Sequence, residues 1–214
     1  LVSASTNIAT ALAVHHQGAV TVPVDSEEQT WNLDLEKLES LITPRTRAII
    51  PVHLFGHPVD MDRLRVIADR HDLLIIEDAA EAHGATCRGR KVGSFGDMAC
   101  FSFYANKVIT TGEGGMVTTN DRALWQRMWA YKDHGKSWEA VYEREHPPGF
   151  RWLHKNIGTN WRMMPIQAVI GIEALDLLDS WIEHRRKIAN IYNENLKDIA
   201  TKGWVRLTIP DTDI

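Results

Sequence analysis

The sequence predicts an α/β fold with a mostly parallel central sheet flanked by helices. Two observations support this prediction: short apolar segments, mostly β-branched or aromatic, recur along the chain, and segments with helical apolar spacing lie between them. Strand–helix–strand repetition on this scale is typical of βαβ units, in which helices cover both faces of a parallel sheet. The predicted strands are residues 20–24, 47–52, 73–77, 99–103 and 116–119.

The helices are predicted by apolar residues that recur three and four positions apart. Segments 35–42 and 61–68 show this spacing, and Asp60 is a suitable N-cap for the second. Residues 5–16 and 121–131 are also predicted helices, the latter capped by Asn120 or Asp121. Pro165 fits the first turn of a long helix. Its apolar side is predicted at residues 166, 169, 170, 172, 175 and 178.

The second half of the chain indicates a change of domain. Residues 134–160 are polar and rich in Gly, Pro, Trp and His, which is typical of a long connection outside the core. We expect residues 1–180 to form a large domain whose N-terminal part is missing. Residues 181–214 would be a connecting helix and the start of a smaller C-terminal domain, also truncated. The chain starts without Met inside a helical pattern, so we expect a piece of a longer protein.

The composition excludes several classes of protein. The chain has 214 residues, 44% hydrophobic and 24% charged, and a net charge of −4, so nothing favours nucleic acid or an anionic membrane as a partner. Its apolar runs are too short to span a bilayer, and no secretory signal pattern opens it. Cys87 and Cys100 fit free thiols in a reducing compartment, and nothing near them has metal-ligand spacing. We expect a cytoplasmic protein without a metal site.

Two predicted strands end on residues that carry chemistry. The strand over residues 73–77 runs into Asp78 and then into small residues. The strand over 99–103 carries Ser102 and leads to Lys107, which precedes a glycine-rich turn. Ligands bind at the carboxyl ends of strands in open α/β sheets, because the following loops form a crevice there. Alone, Asp78 is more often a helix N-cap and Lys107 a surface charge.

Together these residues match the needs of pyridoxal phosphate. The cofactor requires a lysine for its C4′ carbon, an acid for its ring nitrogen and hydrogen-bond donors for its phosphate. Lys107, Asp78 and Ser102 supply one of each. The sequence therefore predicts a pyridoxal 5′-phosphate site.

Five segments resemble the DegT/DnrJ/StrS family of sugar aminotransferases. These segments are residues 52–56, 77–84, 93–97, 101–115 and 160–163. The resemblance implies fold type I, the fold of aspartate aminotransferase, and a homodimer with active sites at the subunit interface. It also implies transfer of an amino group from an amino-acid donor such as glutamate to a keto-sugar, usually nucleotide-linked, in polysaccharide or antibiotic-sugar biosynthesis.

The resemblance also implies a role for each site residue. Lys107 would form the Schiff base and shuttle the proton between Cα and C4′. Asp78 would hold the pyridinium, and Ser102 would bind the phosphate. Asn160 would reach the phosphate of the neighbouring subunit's cofactor. Glu81, as in members that resemble perosamine synthase, would lie near the ring oxygen, where many members have Gln or His.

Some parts of the family pattern lie outside this chain, and other functions remain as alternatives. The family's N-terminal phosphate loop would precede Leu1, and residues 1–7 offer no convincing aromatic to stack on the ring. A sugar dehydratase of the same family would carry His in place of Lys107. A non-catalytic homologue would have no need for Lys107, Asp78 and Ser102 together. A dinucleotide-binding oxidoreductase is disfavoured because no Gly-x-Gly-x-x-Gly follows a predicted strand.

Overall fold

The computed structural model of the chain describes residues 1–146 and 152–208. Its strands are β1 Val2–Ser3, β2 Pro23–Val24, β3 Ala48–Ile49, β4 Leu74–Asp78, β5 Thr86–Cys87, β6 Arg90–Lys91, β7 Met98–Ser102 and β8 Gly115–Thr118. Its α-helices are α1 Ile8–His16, α2 Leu35–Leu38, α3 Met61–Arg70, α4 Arg122–Lys132, α5 Trp138–Tyr142 and α6 Pro165–Thr201. Two short 3-10 turns cover Glu39–Leu41 and Leu54–Gly56.

The central sheet is mostly parallel, as the sequence predicts. Strands β3, β4 and β7 are parallel neighbours, and β8 is antiparallel to β7 at the edge. The parallel pair of β1 and β2 extends this sheet beyond β3, because the Ser3 amide donates to the Ile50 carbonyl at 3.2 Å and the Ile50 amide to the Leu1 carbonyl at 2.8 Å. The hairpin of β5 and β6 forms a separate two-stranded unit.

Several elements are shorter than their apolar patterns. The predicted strand 20–24 retains only β2, and 47–52 retains β3 with isolated bridges at Ile50 and Val52. Helix 35–42 is interrupted, since α2 passes into a 3-10 turn after Leu38. In the first of these segments, Val20 and Val22 are exposed and only Val24 is buried, so the apolar pattern there extends beyond both the core and the paired backbone.

Helix starts were predictable because they depend on local chemistry. Asp60 caps α3 by accepting from the Arg63 amide, and Asp121 caps α4. Pro165 opens α6. The segment 134–160 includes the short helix α5. The ring of Trp138 in α5 packs edge-on against two α4 side chains, with centroids 4.5 Å from Trp125 and 5.1 Å from Trp129.

The main hydrophobic core lies between the sheet and helices α2 and α3. Apolar residues of α3 at one-turn spacing are buried against β3 and β4, and its outer face is exposed. The fully buried members are Val24, Leu38, Ile49, Met61, Leu64, Ala68 and Ile75. Burial of each large member contributes about 1.5–3 kcal/mol to the stability of this half of the domain.

Helix α6 is a single continuous element of 37 residues, about 55 Å long. Of the six residues predicted for its apolar side, Leu178 packs on the core cluster of Phe103 and Ile109. The other five, at positions 166, 169, 170, 172 and 175, are exposed in the single chain. The predicted domain boundary after residue 180 falls inside this helix, and it stays a prediction.

A fully buried carboxylate, that of Glu77, fixes the loop that precedes β7. It accepts hydrogen bonds of 2.6–2.7 Å from the backbone amides of residues 93, 95 and 96. The His53 ring adds a fourth donor at 3.2 Å; because its Nδ1 accepts from the Val59 amide, Nε2 carries the proton. Burial alone raises the pKa of Glu77, but the donors His53, Gly96 and Gly93 outweigh it and hold that pKa below its ordinary value.

We expect Glu77→Gln to destabilise the complete protein by about 2–4 kcal/mol at neutral pH, because an amide cannot accept from all four donors. A carboxyl group whose pKa is lowered on folding stabilises the native state above its unfolded pKa, which is near 4.5. This stabilisation is lost as the pH falls through the lower folded value. The difference between variant and wild type should therefore shrink in acid. Urea denaturation at several pH values measures it.

The matched control is Glu183→Gln, which removes an exposed ion pair of α6 with Lys187. This change should cost less than about 0.5 kcal/mol. Equal losses at both positions, or a Glu77→Gln loss that is independent of pH, would contradict the anchoring role.

Candidate active site

The pairing of β4 with β7 places Asp78 and Ser102 on the same side of the sheet. Asp78 is the last residue of β4 and is the register partner of Cys100 in β7. Side chains alternate along a strand, so Ser102 points to the same side as Cys100. The neighbouring Glu77 points to the opposite side. Asp78 and Ser102 therefore share one mouth at the carboxyl ends of the strands.

The Asp78 carboxylate is held by α1. Thr10 Oγ1 donates to Asp78 Oδ2 at 2.7 Å, and the Ala80 amide donates to Oδ1 at 3.2 Å. Thr10 is buried, and its hydroxyl also lies 2.8 Å from that of Thr6. Sequence reasoning missed Thr10, because its partner Asp78 lies 68 positions away in the chain.

The thiol of Cys100 lies beside the Asp78 carboxylate at the end of β4. Burial, and then the negative charge of Asp78, raise the pKa of Cys100 to about 11. The thiol is therefore protonated at neutral pH.

Lys107 and Glu81 form an ion pair at the same mouth. Lys107 Nζ donates to Glu81 Oε1 at 3.2 Å. The lysine side chain is 16% exposed and the glutamate side chain 37% exposed, so the amine is the more enclosed partner. Glu81 lies three residues after Asp78 in the chain. Its ion pair with Lys107 therefore brings the lysine close to the end of β4, which carries the aspartate.

The loop over residues 103–114 positions Lys107. The Phe103 amide donates to the Gly114 carbonyl at 2.9 Å, and the Thr111 amide donates back to the Phe103 carbonyl at 3.0 Å, which closes the loop. Gly114 has φ 140°, and a Cβ there would come within 3.0 Å of Met163 Cε. The side-chain amide of Gln167 in α6 donates to the Glu113 carbonyl at 2.8 Å. Both the backbone conformation and these close contacts therefore favour glycine at position 114 of the turn.

Among residues 1–146 and 152–208, the Ser102 hydroxyl donates to no partner. Its Oγ accepts from the Tyr104 amide at 3.3 Å, which leaves the hydroxyl hydrogen available for a ligand. On the opposite side of β7, the His83 ring is buried between Phe101 and Phe103. Burial lowers the pKa of His83, the Ser102 backbone opposes this shift and the charge of Lys107 adds to it. His83 is therefore neutral at neutral pH.

Asn160 lies apart from the other site residues. It forms an isolated bridge with Asp133 at the end of α4, and its chain neighbours bond to the Tyr131 and Lys132 carbonyls. Asn160 is exposed. Across residues 1–146 and 152–208, no hydrogen bond joins it to Asp78, Glu81, Ser102 or Lys107. The other four predicted residues meet at one mouth, and Asn160 does not join them within the single chain.

Comparison with known proteins identifies the family. The model of the DegT/DnrJ/EryC1/StrS aminotransferase family matches residues 1–211. The chain belongs to this family. It is 46% identical over 211 residues to GDP-perosamine synthase from Caulobacter vibrioides, covering 97% of this chain and 54% of that protein. It is 42% identical over 214 residues to dTDP-3-amino-3,4,6-trideoxy-alpha-D-glucose transaminase from Streptomyces venezuelae, covering 100% of this chain and 53% of that protein.

Solved structures of the family confirm the predicted fold type I. The aminotransferase from Psychrobacter cryohalolentis superposes with a TM-score of 0.90 at 48% identity, covering 92% of this chain and 50% of that one. The chain thus spans about half the length of the family members that it matches. The mixed sheet and the long helix α6 belong to this fold.

The residues at the mouth fit the cofactor of this family of enzymes. Lys107 offers an enclosed amine, Asp78 a carboxylate with a fixed orientation, and Ser102 an unused hydroxyl hydrogen. These are the groups that an aldehyde, a protonated ring nitrogen and a phosphate require. Among the described residues, no group of three or more His, Cys, Asp or Glu side chains could hold a metal ion. No helix in the same part of the chain is long and apolar enough to cross a membrane.

Proposed function

We propose that the complete protein is a pyridoxal-phosphate-dependent aminotransferase that moves an amino group from an amino acid to a keto-sugar. Glutamate is the proposed donor, and the sugar is proposed to be nucleotide-linked and used in polysaccharide or amino-sugar biosynthesis. The observation that carries the proposal is the enclosed Lys107–Glu81 pair at the mouth that also holds Asp78 and Ser102. The names of two family members, a GDP-perosamine synthase and a dTDP-sugar transaminase, support the substrate class.

Each residue has a proposed task. When bound, pyridoxal phosphate supplies an electron sink for the carbanion formed next to the substrate nitrogen. Lys107 would hold the cofactor through Nζ, and the same amine would carry a proton to or from the substrate carbon. Asp78 keeps the ring nitrogen protonated, and Thr10 keeps the Asp78 carboxylate oriented. Ser102 donates to the phosphate.

The presence of Lys107 favours an aminotransferase over a dehydratase. A dehydratase of the family would carry His at this position, and a regulatory homologue would not need an enclosed lysine opposite a carboxylate. We also propose a cytoplasmic location, because Cys87 and Cys100 are free and a reducing compartment keeps them so.

A product assay tests the proposal. The complete protein, loaded with pyridoxal phosphate, is mixed with ¹⁵N-glutamate and a panel of keto-sugar nucleotides. Mass spectrometry should find an amino-sugar nucleotide that carries the label, and borohydride should fix the cofactor to a peptide that contains Lys107. Transfer of label without fixation at Lys107 would contradict the assignment of the lysine. Loss of water from the sugar without uptake of label would establish the dehydratase alternative.

We further propose a homodimer in which each active site is shared. The exposed position of Asn160, away from the mouth of its own chain, supports a role against the neighbour's phosphate. A buried phosphate needs several donors, and Ser102 supplies one. The exposed apolar side chains of α6 are also available for a subunit contact.

Subunit mixing tests the shared site. Lys107→Ala and Asn160→Asp should each be inactive, the second because a carboxylate repels the phosphate. Mixed dimers would contain one site with both residues intact, so activity should return to at most about half of wild type per mixed dimer. The matched control mixes Lys107→Ala with Asp78→Asn, whose residues lie in one site, and should restore nothing. Absence of activity in dimers shown to be mixed would mean that Asn160 acts within its own subunit or not at all.

A further inference from the structure

The turn between β3 and α3 contains a strained residue at the mouth of the site. Phe55 has φ 53° and ψ 21°, in the left-handed region, and the residue is 85% exposed. This conformation costs a non-glycine residue about 1 kcal/mol or more, and the exposed ring offsets none of that cost by burial. In this conformation the Phe55 backbone amide points at Glu81 and donates to its Oε2 at 3.0 Å.

Buried polar side chains hold this turn from behind. Asn32 Oδ1 accepts from the Leu54 amide at 3.1 Å, and Asn32 Nδ2 donates to the His57 and Pro58 carbonyls at 3.0 and 3.2 Å. His53, at the start of the turn, is bonded to the buried Glu77. The turn is therefore fixed on both sides of Phe55, which keeps its amide in place.

The turn also packs directly on the backbone of Glu81. Gly56 has φ 85°, and a Cβ added there would lie 2.9 Å from the Glu81 carbonyl oxygen. Both the left-handed conformation and this contact exclude a larger residue. Gly56 thus sets the distance between the Phe55 amide and Glu81.

The two carboxylate oxygens of Glu81 have different partners. Oε2 accepts from the Phe55 amide, and Oε1 faces Lys107 Nζ at 3.2 Å. Glu81 is partly exposed, so without the amide its side chain is free to rotate into solvent and leave the lysine. A backbone donor has no side-chain freedom to lose, which makes it a good fixed point for a carboxylate.

We propose that the Phe55–Gly56 turn is the positioning element for Glu81 and, through Glu81, for Lys107. Its amide, and not the phenyl ring, holds the carboxylate that aligns the lysine amine for capture of an aldehyde. This inference rests on the proposed function only for the reactivity of Lys107. The Phe55–Glu81 contact itself is testable without that function.

The contact is tested by backbone exchange in the complete, cofactor-free protein. The amide at position 55 should be protected from deuterium exchange, and Glu81→Ala should speed its exchange by roughly tenfold or more, the loss expected for a hydrogen bond to a charged group. Glu81→Gln should keep the protection, because a side-chain carbonyl still accepts. Phe55→Asn should also keep it, since Asn tolerates the left-handed region and retains the amide. Unchanged exchange in Glu81→Ala would overturn the proposal.

The effect on Lys107 is tested with pyridoxal, which lacks the phosphate and so reports on the lysine alone. Its capture is followed by visible absorbance and fixed with borohydride. Gly56→Ala should slow capture at Lys107 by roughly tenfold. The matched control Gly89→Ala also places alanine at positive φ, but in open space, and should slow capture less than twofold. Phe55→Asn should capture faster than Gly56→Ala.

Each remaining outcome decides one question. Capture by Gly56→Ala at the rate of Gly89→Ala would overturn the positioning role, as would a loss in Phe55→Asn as large as that in Gly56→Ala. If wild type captures no pyridoxal at Lys107, the proposed function fails. The exchange experiment still decides the contact in that case, and also if Gly56→Ala does not fold.

Discussion

A Lys107→Ala variant of the complete protein will lose transamination by a factor on the order of 10⁴ or more, since in the proposed function one side chain serves both covalent attachment and proton transfer. Its cofactor should still bind weakly through Asp78 and Ser102. It should be released on dialysis, because the covalent attachment is lost. Lys107→Arg should be equally inactive although it keeps a cation opposite Glu81. That comparison separates the chemistry of the primary amine from its charge.

Lys132→Ala, at the end of α4, is the control for loss of a lysine. It should leave turnover within about twofold of wild type, as expected for an exposed surface position. Steady-state rates and borohydride labelling decide the result. A Lys107→Ala enzyme with more than a few per cent of wild-type turnover would require a different lysine at the centre of the reaction.

Asp78→Asn will retain cofactor but lower turnover by about 10²–10⁴, the range typical of a lost acid–base contribution. The substitution removes the negative charge that we propose keeps the ring nitrogen protonated. It preserves shape, because the side-chain oxygen of the introduced amide would still accept from Thr10 Oγ1. The rate should therefore fall without a comparable fall in stability, and both are measured on the same preparation.

Asp121→Asn is the matched control for this charge change. Asp121 caps α4, and Asn caps a helix about as well as Asp. This variant should keep near-normal turnover. An Asp78→Asn enzyme with the turnover of Asp121→Asn would remove Asp78 from the reaction.

The sequence alone sufficed for features that depend on short stretches of chain. The caps Asp60 and Asp121 and the opening proline of α6 follow from local hydrogen bonding and backbone geometry. The sequence also predicted that Asp78 and Lys107 lie near each other, because both follow apolar strands and parallel strands end at one edge of the sheet. The predicted parallel sheet was correct because strand–helix–strand repetition is typical of parallel pairing.

Features that depend on distant partners were not predictable. Thr10 reaches Asp78 across 68 positions of sequence, and the Phe55 amide reaches Glu81 across 26. Nothing in the residues around Phe55 signals a left-handed backbone, since the conformation is imposed by Asn32, Gly56 and Glu81. Helical periodicity also predicted the apolar side of α6, but it did not indicate which part of the protein packs against that side.

The opposite orientations of Glu77 and Asp78 restrict how this protein can change during evolution. The Glu77 carboxylate binds backbone amides in the interior, and the Asp78 carboxylate faces the candidate site, although the two residues are adjacent in the chain. Deleting or inserting a single residue upstream in β4 would exchange their destinations, because a shift of one position inverts every side chain of a strand. An insertion or deletion in this strand therefore impairs both the stability of the fold and the candidate site. No single later substitution restores both.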